Sequence, residues 1–244
     1  MAQFRLVGEG PDDVAVFVAL VKRFELPLSE KNKDLPDKLV ITNPGGDAAV
    51  LRTLRDQRLL DHVQTLLKPR DLTAEDRLGI VVDADHSQAT DPDDGFLKRW
   101  VQLKETLTNL GYTDVPDQPD RNGTIVGLNQ EERPRVGVWM MPDNQSPGKL
   151  EDFVRRLVRS GDEGLWEHAV QAALEATSKG AKFAAKDQPK AQIHTFLAWQ
   201  DVPGVPMGLA ITKQYLDAKS PEAKIFVGWL CRLFEFTSPK LGAP

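Results

Sequence analysis

The sequence predicts an α/β protein, a mostly parallel sheet flanked by helices with a helical C-terminal extension. Three observations predict it. Over the first 140 or so residues, short β-branched apolar runs alternate with segments of helical period, the pattern of a sheet covered by helices on both faces. The run Leu78–Val82 has no polar interruption, which marks a strand buried on both sides. Beyond Pro142 the strand-like runs stop and helical spacing takes over.

In chain order, Phe4–Gly8 reads as a first strand that breaks at Glu9-Gly10-Pro11-Asp12-Asp13. Pro11 suits a first helical position, and Asp12 or Asp13 can cap the helix that follows. Val14, Phe17, Val18 and Val21 give the segment Val14–Phe24 its helical spacing. A second strand, Lys38–Thr42, runs into Asn43-Pro44-Gly45-Gly46-Asp47. The glycine pair permits a sharp turn, and Asp47 suits the N-cap of a helix reaching about Leu60. A charged connection over 67–77 leads to the central strand, which ends in Asp83-Ala84-Asp85-His86-Ser87. The acidic loop His86–Gly95, with Asp91, Asp93 and Asp94, reads as a solvated connection. Phe96–Leu110 is an amphipathic helix ended by Gly111. Thr124–Leu128 and Val136–Met141 read as an antiparallel pair or as two neighbouring strands. Leu150–Val158, Leu165–Ala176, Lys190–Trp199 and Pro221–Phe236 read as helices, with a turn at Pro203-Gly204-Val205-Pro206. The composition boundary divides a core over 1–145 from a helical extension over 146–244, too short for a core of its own and expected to pack on the same domain.

Composition narrows the function classes. A formal net charge of −5 argues against a generally basic coat for nucleic acid, but not against an enzyme whose site is itself a cluster of carboxylates. The single cysteine, Cys231, excludes an internal disulfide and suits a reducing compartment, where it reads as a small buried hydrophobe. With no apolar run of about 18 residues and no signal-peptide pattern, the expectation is a cytoplasmic protein with no membrane association. The scattered tryptophans and histidines read as packing residues.

The candidate chemistry lies at the strand ends. Asp83 and Asp85 point the same way if strand geometry continues through them, and two like charges that close repel unless a proton or cation lies between them. In a parallel sheet the strand ends share one edge, so Glu9 and the Asp83/Asp85 pair are expected to converge there. Carboxylates so gathered suit Mg²⁺ or Mn²⁺, and such ions activate water and stabilise the leaving oxygen of a phosphodiester.

Glu9-Gly10-x-x-Asp13 after the first strand, Gly45-Gly46 after the second and Asp83-x-Asp85 after the third resemble the Toprim domain of topoisomerases, primases and the OLD-family (overcoming lysogenization defect) nucleases. Met141-Pro142-Asp143-Asn144, Gly148-Lys149-Leu150-Glu151-Asp152 and the run Lys190–Ala198 are similar to a small stand-alone Toprim-like family of unassigned function. The resemblance covers most of the chain. It implies that Glu9 is a metal ligand or general acid/base, that Asp83 and Asp85 are metal ligands, and that Asp13 is a ligand or its supporting partner. It further implies that Glu151 or Asp152 completes the metal set and that Lys190 stabilises charge on the scissile phosphate. Simpler roles compete: Asp13 as a helix cap, Glu151 and Asp152 as first-turn acids complementing a helix dipole, and Lys190 as part of a solvated basic face with Lys179, Lys182 and Lys186. His86 has a smaller claim on a metal or substrate.

The resemblance thus implies a metal-dependent nuclease acting on DNA ahead of RNA, with a role in phage defence beside an ATPase partner, since the chain has no phosphate-binding Gly-rich lysine loop. Zinc-ribbon cysteines of primases are absent, and neither tyrosine, Tyr112 nor Tyr215, lies in a topoisomerase cleavage module. Two readings compete with it. One is a haloacid-dehalogenase-like phosphatase with Asp83 as nucleophile, which leaves the Glu9 motif unexplained. The other is a non-catalytic Toprim-like module that binds nucleic acid or an ATPase. A receiver domain shares the acidic edge but not the early glutamate.

Overall fold

The computed structural model describes residues 2–29, 38–43, 64, 65, 67, 73–85 and 95–241. Their order is β1 (Phe4–Val7), α1 (Pro11–Arg23), β2 (Leu39–Thr42), β3 (Arg77–Asp83), α2 (Phe96–Asn109), β4 (Thr124–Val126) and β5 (Arg135–Met141), then α3 (Leu150–Arg155), α4 (Glu163–Ser178), α5 (Gln188–Ala198), α6 (Met207–Thr212) and α7 (Pro221–Phe234). The strands form one sheet in the order β2-β1-β3-β5-β4. All neighbours are parallel except β4, which runs antiparallel to β5 with Ile125 opposite Gly137. The fold is therefore α/β, in keeping with the Toprim-like arrangement expected, and the two later strands are the antiparallel pair.

Successive strand residues face opposite sides of a sheet, and the two faces fill accordingly. Leu6, Ile41, Val81 and Trp139 face a cluster built with Phe17 and Leu20 of α1 and Phe226, Trp229 and Leu233 of α7. Val7, Ile80, Val82, Val138 and Met140 face Trp100, Leu103 and Leu107 of α2. The C-terminal helices thus supply much of the first face, and α7 lies directly on β3 and β5. Phe226 sits between Phe17, Trp139, Phe153 and Trp229, with ring centroids 5.1–5.7 Å away.

Several expected boundaries move. α1 begins at Pro11 rather than Val14, with Gly10 as N-cap, because a proline at the first helical position lacks only an N–H that the helix would leave unpaired. α3 stops at Arg155 rather than Val158, and α5 begins at Gln188 with its proline in the first turn. α6 was not foreseen, because six residues are too short a window for a periodic signal. It is held by tertiary contact instead: Gly208 lies against the Ala15 carbonyl of α1. A β-carbon at Gly208 would meet that backbone oxygen, which cannot rotate away. Gly208→Ala is expected to cost about 1–3 kcal/mol, read as a lower Tm in thermal unfolding; an unchanged Tm would mean the helices part freely.

Trp139, Trp166 and Trp229 are buried as expected, but Trp199 is 41% exposed and stacks on His168, with centroids 5.1 Å apart. Tyr112 donates its hydroxyl to the Pro134 carbonyl at 2.8 Å, a structural task. Cys231 is half-buried rather than fully so. The turn Gly45-Gly46, the helix from Asp47, His62, His86 and the acidic residues Asp91, Asp93 and Asp94 lie outside the described residues.

Candidate functional site

The strand order creates the site. After β1 the chain moves outward to β2, then returns to place β3 on the other side of β1. Such a reversal opens a crevice beyond the carboxyl ends of the two central strands. Glu9 leaves the end of β1 and Asp83 ends β3, and the Asp83 N–H donates to Glu9 Oε1 at 2.9 Å. Residues 74 positions apart thus meet at the crevice.

Two helices start there with the same device. In α1 the Gly10 N–H donates to Asp13 Oδ2 at 3.0 Å; in α3 the Lys149 N–H donates to Asp152 Oδ2 at 2.9 Å. Each is half of a capping box, with an acid in the first turn satisfying the backbone group ahead of it. α3 is anchored to the sheet edge by the Leu150 N–H, which donates to Asp83 Oδ1 at 2.9 Å. The Met141-Pro142-Asp143-Asn144 segment shapes the approach to α3: buried Asn144, with φ of +60°, accepts from the Met140 N–H at 2.7 Å. Asp143 accepts from the backbone of Gln145 and Ser146. This motif is a turn-builder.

The crevice is strongly acidic. Burial, then Glu9 and Glu151, push Asp13 up to about 8, against the backbone hydrogen bond from Gly10. Burial, then Glu9, Asp13, Glu151 and Asp85, hold Asp83 well above the usual carboxylate range. Asp13 Oδ1 is buried and has no hydrogen-bond partner, although a buried carboxylate oxygen ordinarily finds one.

Asp85 departs from expectation. The strand ends at Asp83 and Asp85 takes φ of +56°, so the alternation that would aim the two acids the same way does not reach it. Its Oδ1 lies 2.8 Å from Lys149 Nζ and its Oδ2 3.4 Å from Arg99 Nη2, while its carbonyl accepts from the Gly148 N–H at 3.0 Å. Asp85 is thus ion-paired, with its charge still acting on Asp83. Asp152 is engaged as a helix cap, and Glu151 is among the acids that raise Asp13 and Asp83. Lys190 sits at the rim, 3.0 Å from Asp12 and 3.9 Å from Glu151.

Sequence reasoning missed two cations. Arg99, with its side chain 5% exposed, donates through Nε to the Asp83 carbonyl at 3.2 Å and lies 4.0 Å from Glu9. A signal existed: Arg99 falls in the apolar stripe Phe96-Trp100-Leu103-Leu107 of α2, where an unpaired charge would be too costly to bury. Lys149 stood inside a quoted motif with no role assigned.

The donor chemistry fits a hard divalent cation: all-oxygen ligands, one of them buried and unpartnered, in a field that raises two carboxyl groups. As the side chains stand, no three His, Cys, Asp or Glu residues among those described are placed to hold a metal ion. Glu9 and Asp83 each have one oxygen on a backbone N–H, and Asp85 faces bases.

Fold and site together define an α/β protein with a buried carboxylate cluster at the topological switch point of its sheet. The chain belongs to the family of proteins of unknown function DUF3226, which matches it over residues 3–235. No curated protein and no solved structure matches it. No helix among the described residues is long and apolar enough to cross a membrane.

Proposed function

We propose that this protein is a divalent-cation-dependent phosphodiester hydrolase acting on nucleic acid. The observation that carries the reading is Asp13 together with Asp83, two carboxyl groups driven up first by burial and then by the neighbouring acids, one with an oxygen that nothing satisfies. Glu9, Asp13, Asp83 and Glu151 would hold Mg²⁺ or Mn²⁺. The ion, when bound, polarises the phosphodiester and lowers the pKa of an attacking water.

The chain's own residues divide the remaining work. Asp83 is held by the hydrogen bond it accepts from the Leu150 N–H, and Glu9 by the one it accepts from the Asp83 N–H, so the acids are positioned before any ligand arrives. Arg99 offsets part of their repulsion from below. Lys190, half-exposed at the rim, and the more covered Lys149 offer positive charge to the phosphates of a strand crossing the crevice. Action on DNA, work beside an ATPase and a role in phage defence follow from the Toprim and OLD resemblance alone.

The phosphatase alternative makes Asp83 the nucleophile and leaves Glu9 and Asp13, which act on Asp83 in the same crevice, without a role. The non-catalytic alternative gains one point, the engagement of Asp85 by Arg99 and Lys149. Titration with Mn²⁺ followed by calorimetry, paired with cleavage of plasmid and single-stranded DNA, decides between them. Saturable binding with Mn²⁺-dependent cleavage is expected; binding of DNA without cation uptake or turnover would leave the non-catalytic module.

A further inference from the structure

Beside the acid edge lies a second concave site. Met141 pairs in register with Asp83, so the chain leaving β5 opens one strand away from the carboxylates. There a cleft of about 200 Å³ is lined by Trp139 and the turn after β5, with Arg121, Arg156 of the segment ending α3, and Glu222 and Ile225 of α7. Pockets for drug-sized ligands span about 300–1,000 Å³, so this one suits a single flat ring system.

Its chemistry is specific. Trp139 is only 2% exposed and offers no stacking face, but its indole N–H is buried without an acceptor. Ile225, 39% exposed on α7, gives the cleft an apolar wall. The charges cancel: Arg121 and Arg156 stand against Asp143 and Glu222, and Arg156 is already tied to Asp143 at 2.8 Å. A phosphate would find no net positive field there. A neutral planar group with donors and acceptors on its edge would find guanidinium, indole N–H, the Gln145 amide and the Glu222 carboxylate, with an apolar wall against its face.

We propose that this cleft receives one unpaired nucleobase of the strand bound at the acid edge, an inference that rests on the nucleic-acid reading above. A base turned out of its stack is held on its face by apolar side chains or guanidinium planes, here Ile225 with Arg121 and Arg156, and on its edge by hydrogen bonds. The neighbouring strand then has its backbone over the carboxylates while one base is anchored beside them, so the cleft selects single-stranded or locally opened substrate.

The test needs no turnover. With Ca²⁺ in place of Mn²⁺, affinities are measured for a short single-stranded oligodeoxynucleotide and for an all-abasic strand of equal length. The intact strand is expected to bind about tenfold more tightly. Ile225→Asp, at an exposed position, is expected to erase that preference while its added charge weakens both strands alike, and Gln145→Ala, also exposed, to reduce it about threefold with the abasic affinity unchanged. A preference for the free nucleoside monophosphate over ribose phosphate, lost in Ile225→Asp, supports the same base site supplied from solution. Equal affinity of the wild-type protein for both strands, no binding of either strand, or an unaltered preference in both variants overturns the inference. Base preference lost in the variants without Mn²⁺-dependent cleavage would sink the hydrolase and keep the cleft; cleavage with no base preference would sink the cleft alone.

Discussion

Asp83→Asn is expected to abolish divalent-dependent cleavage and, in the same variant, to make the cation-free protein more stable near pH 8. The two effects share one cause. Asp83 is held well above the usual carboxylate range by burial and by four neighbouring acids, so its charge disfavours the folded state until a cation offsets it. Asparagine keeps an oxygen for the Leu150 N–H and removes the charge. The direction with pH follows from proton counting. The unfolded chain releases these protons in the ordinary carboxylate range, near 4, whereas the folded chain retains that of Asp13 up to about 8. Between those values the folded state binds more protons, so raising pH lowers stability, by about 1.4 kcal/mol per pH unit for each retained proton. Stability conferred by these groups is therefore complete below about pH 4 and lost as pH climbs through 8. Urea unfolding with chelator between pH 5 and 8 should give a falling wild-type midpoint and a flatter Asp83→Asn profile. Parallel profiles would show that Asp83 carries no such strain, and full cleavage by the variant would remove the proposed site.

The second large effect belongs to Arg99. Its guanidinium lies within reach of Glu9, Asp85 and the Asp83 carbonyl, and removing one partner of a buried ion pair leaves uncompensated charge. Arg99→Met, which keeps much of the side-chain stem, is expected to cost about 3 kcal/mol at neutral pH. The value lies at the low end of the range because Asp85 is 40% exposed and its share of the attraction is screened by water. Asp13 in the same crevice keeps its proton up to about pH 8, so the site is less negative at pH 5 and the loss should shrink there. A loss of equal size at pH 5 and pH 8 would assign Arg99 to packing.

Much of the architecture was legible because it rests on local rules. β3 could be read as a buried strand from five consecutive apolar or small residues, and α2 from the spacing of Phe96, Trp100, Leu103 and Leu107. Glu9 and Asp83 could be placed at one edge because parallel strands share their carboxyl ends. Asp85 shows where such reasoning stops. Strand alternation would aim it, two residues from Asp83, to the same side, but the chain leaves strand geometry to pair with Gly148, and Lys149 and Arg99 take up its carboxylate. Nothing within a few residues of Asp85 announces partners 14 and 64 positions away. Asp13 was ambiguous between cap and ligand, and the structure shows one oxygen in each situation: Oδ2 caps Gly10, and Oδ1 is buried without a partner.

By itself, the sequence determined the alternation of strands and helices, the apolar faces that bury them and the acids that terminate β1 and β3, because each depends on side-chain period or on residues adjacent in the chain. Tertiary structure alone decided which acids stay unneutralised. That outcome depends on β3 lying beside β1, on α2 turning Arg99 inward and on α3 carrying Lys149 to the edge. Coulomb forces and desolvation act through space, so the charge balance of the crevice became defined only when these distant segments were packed together.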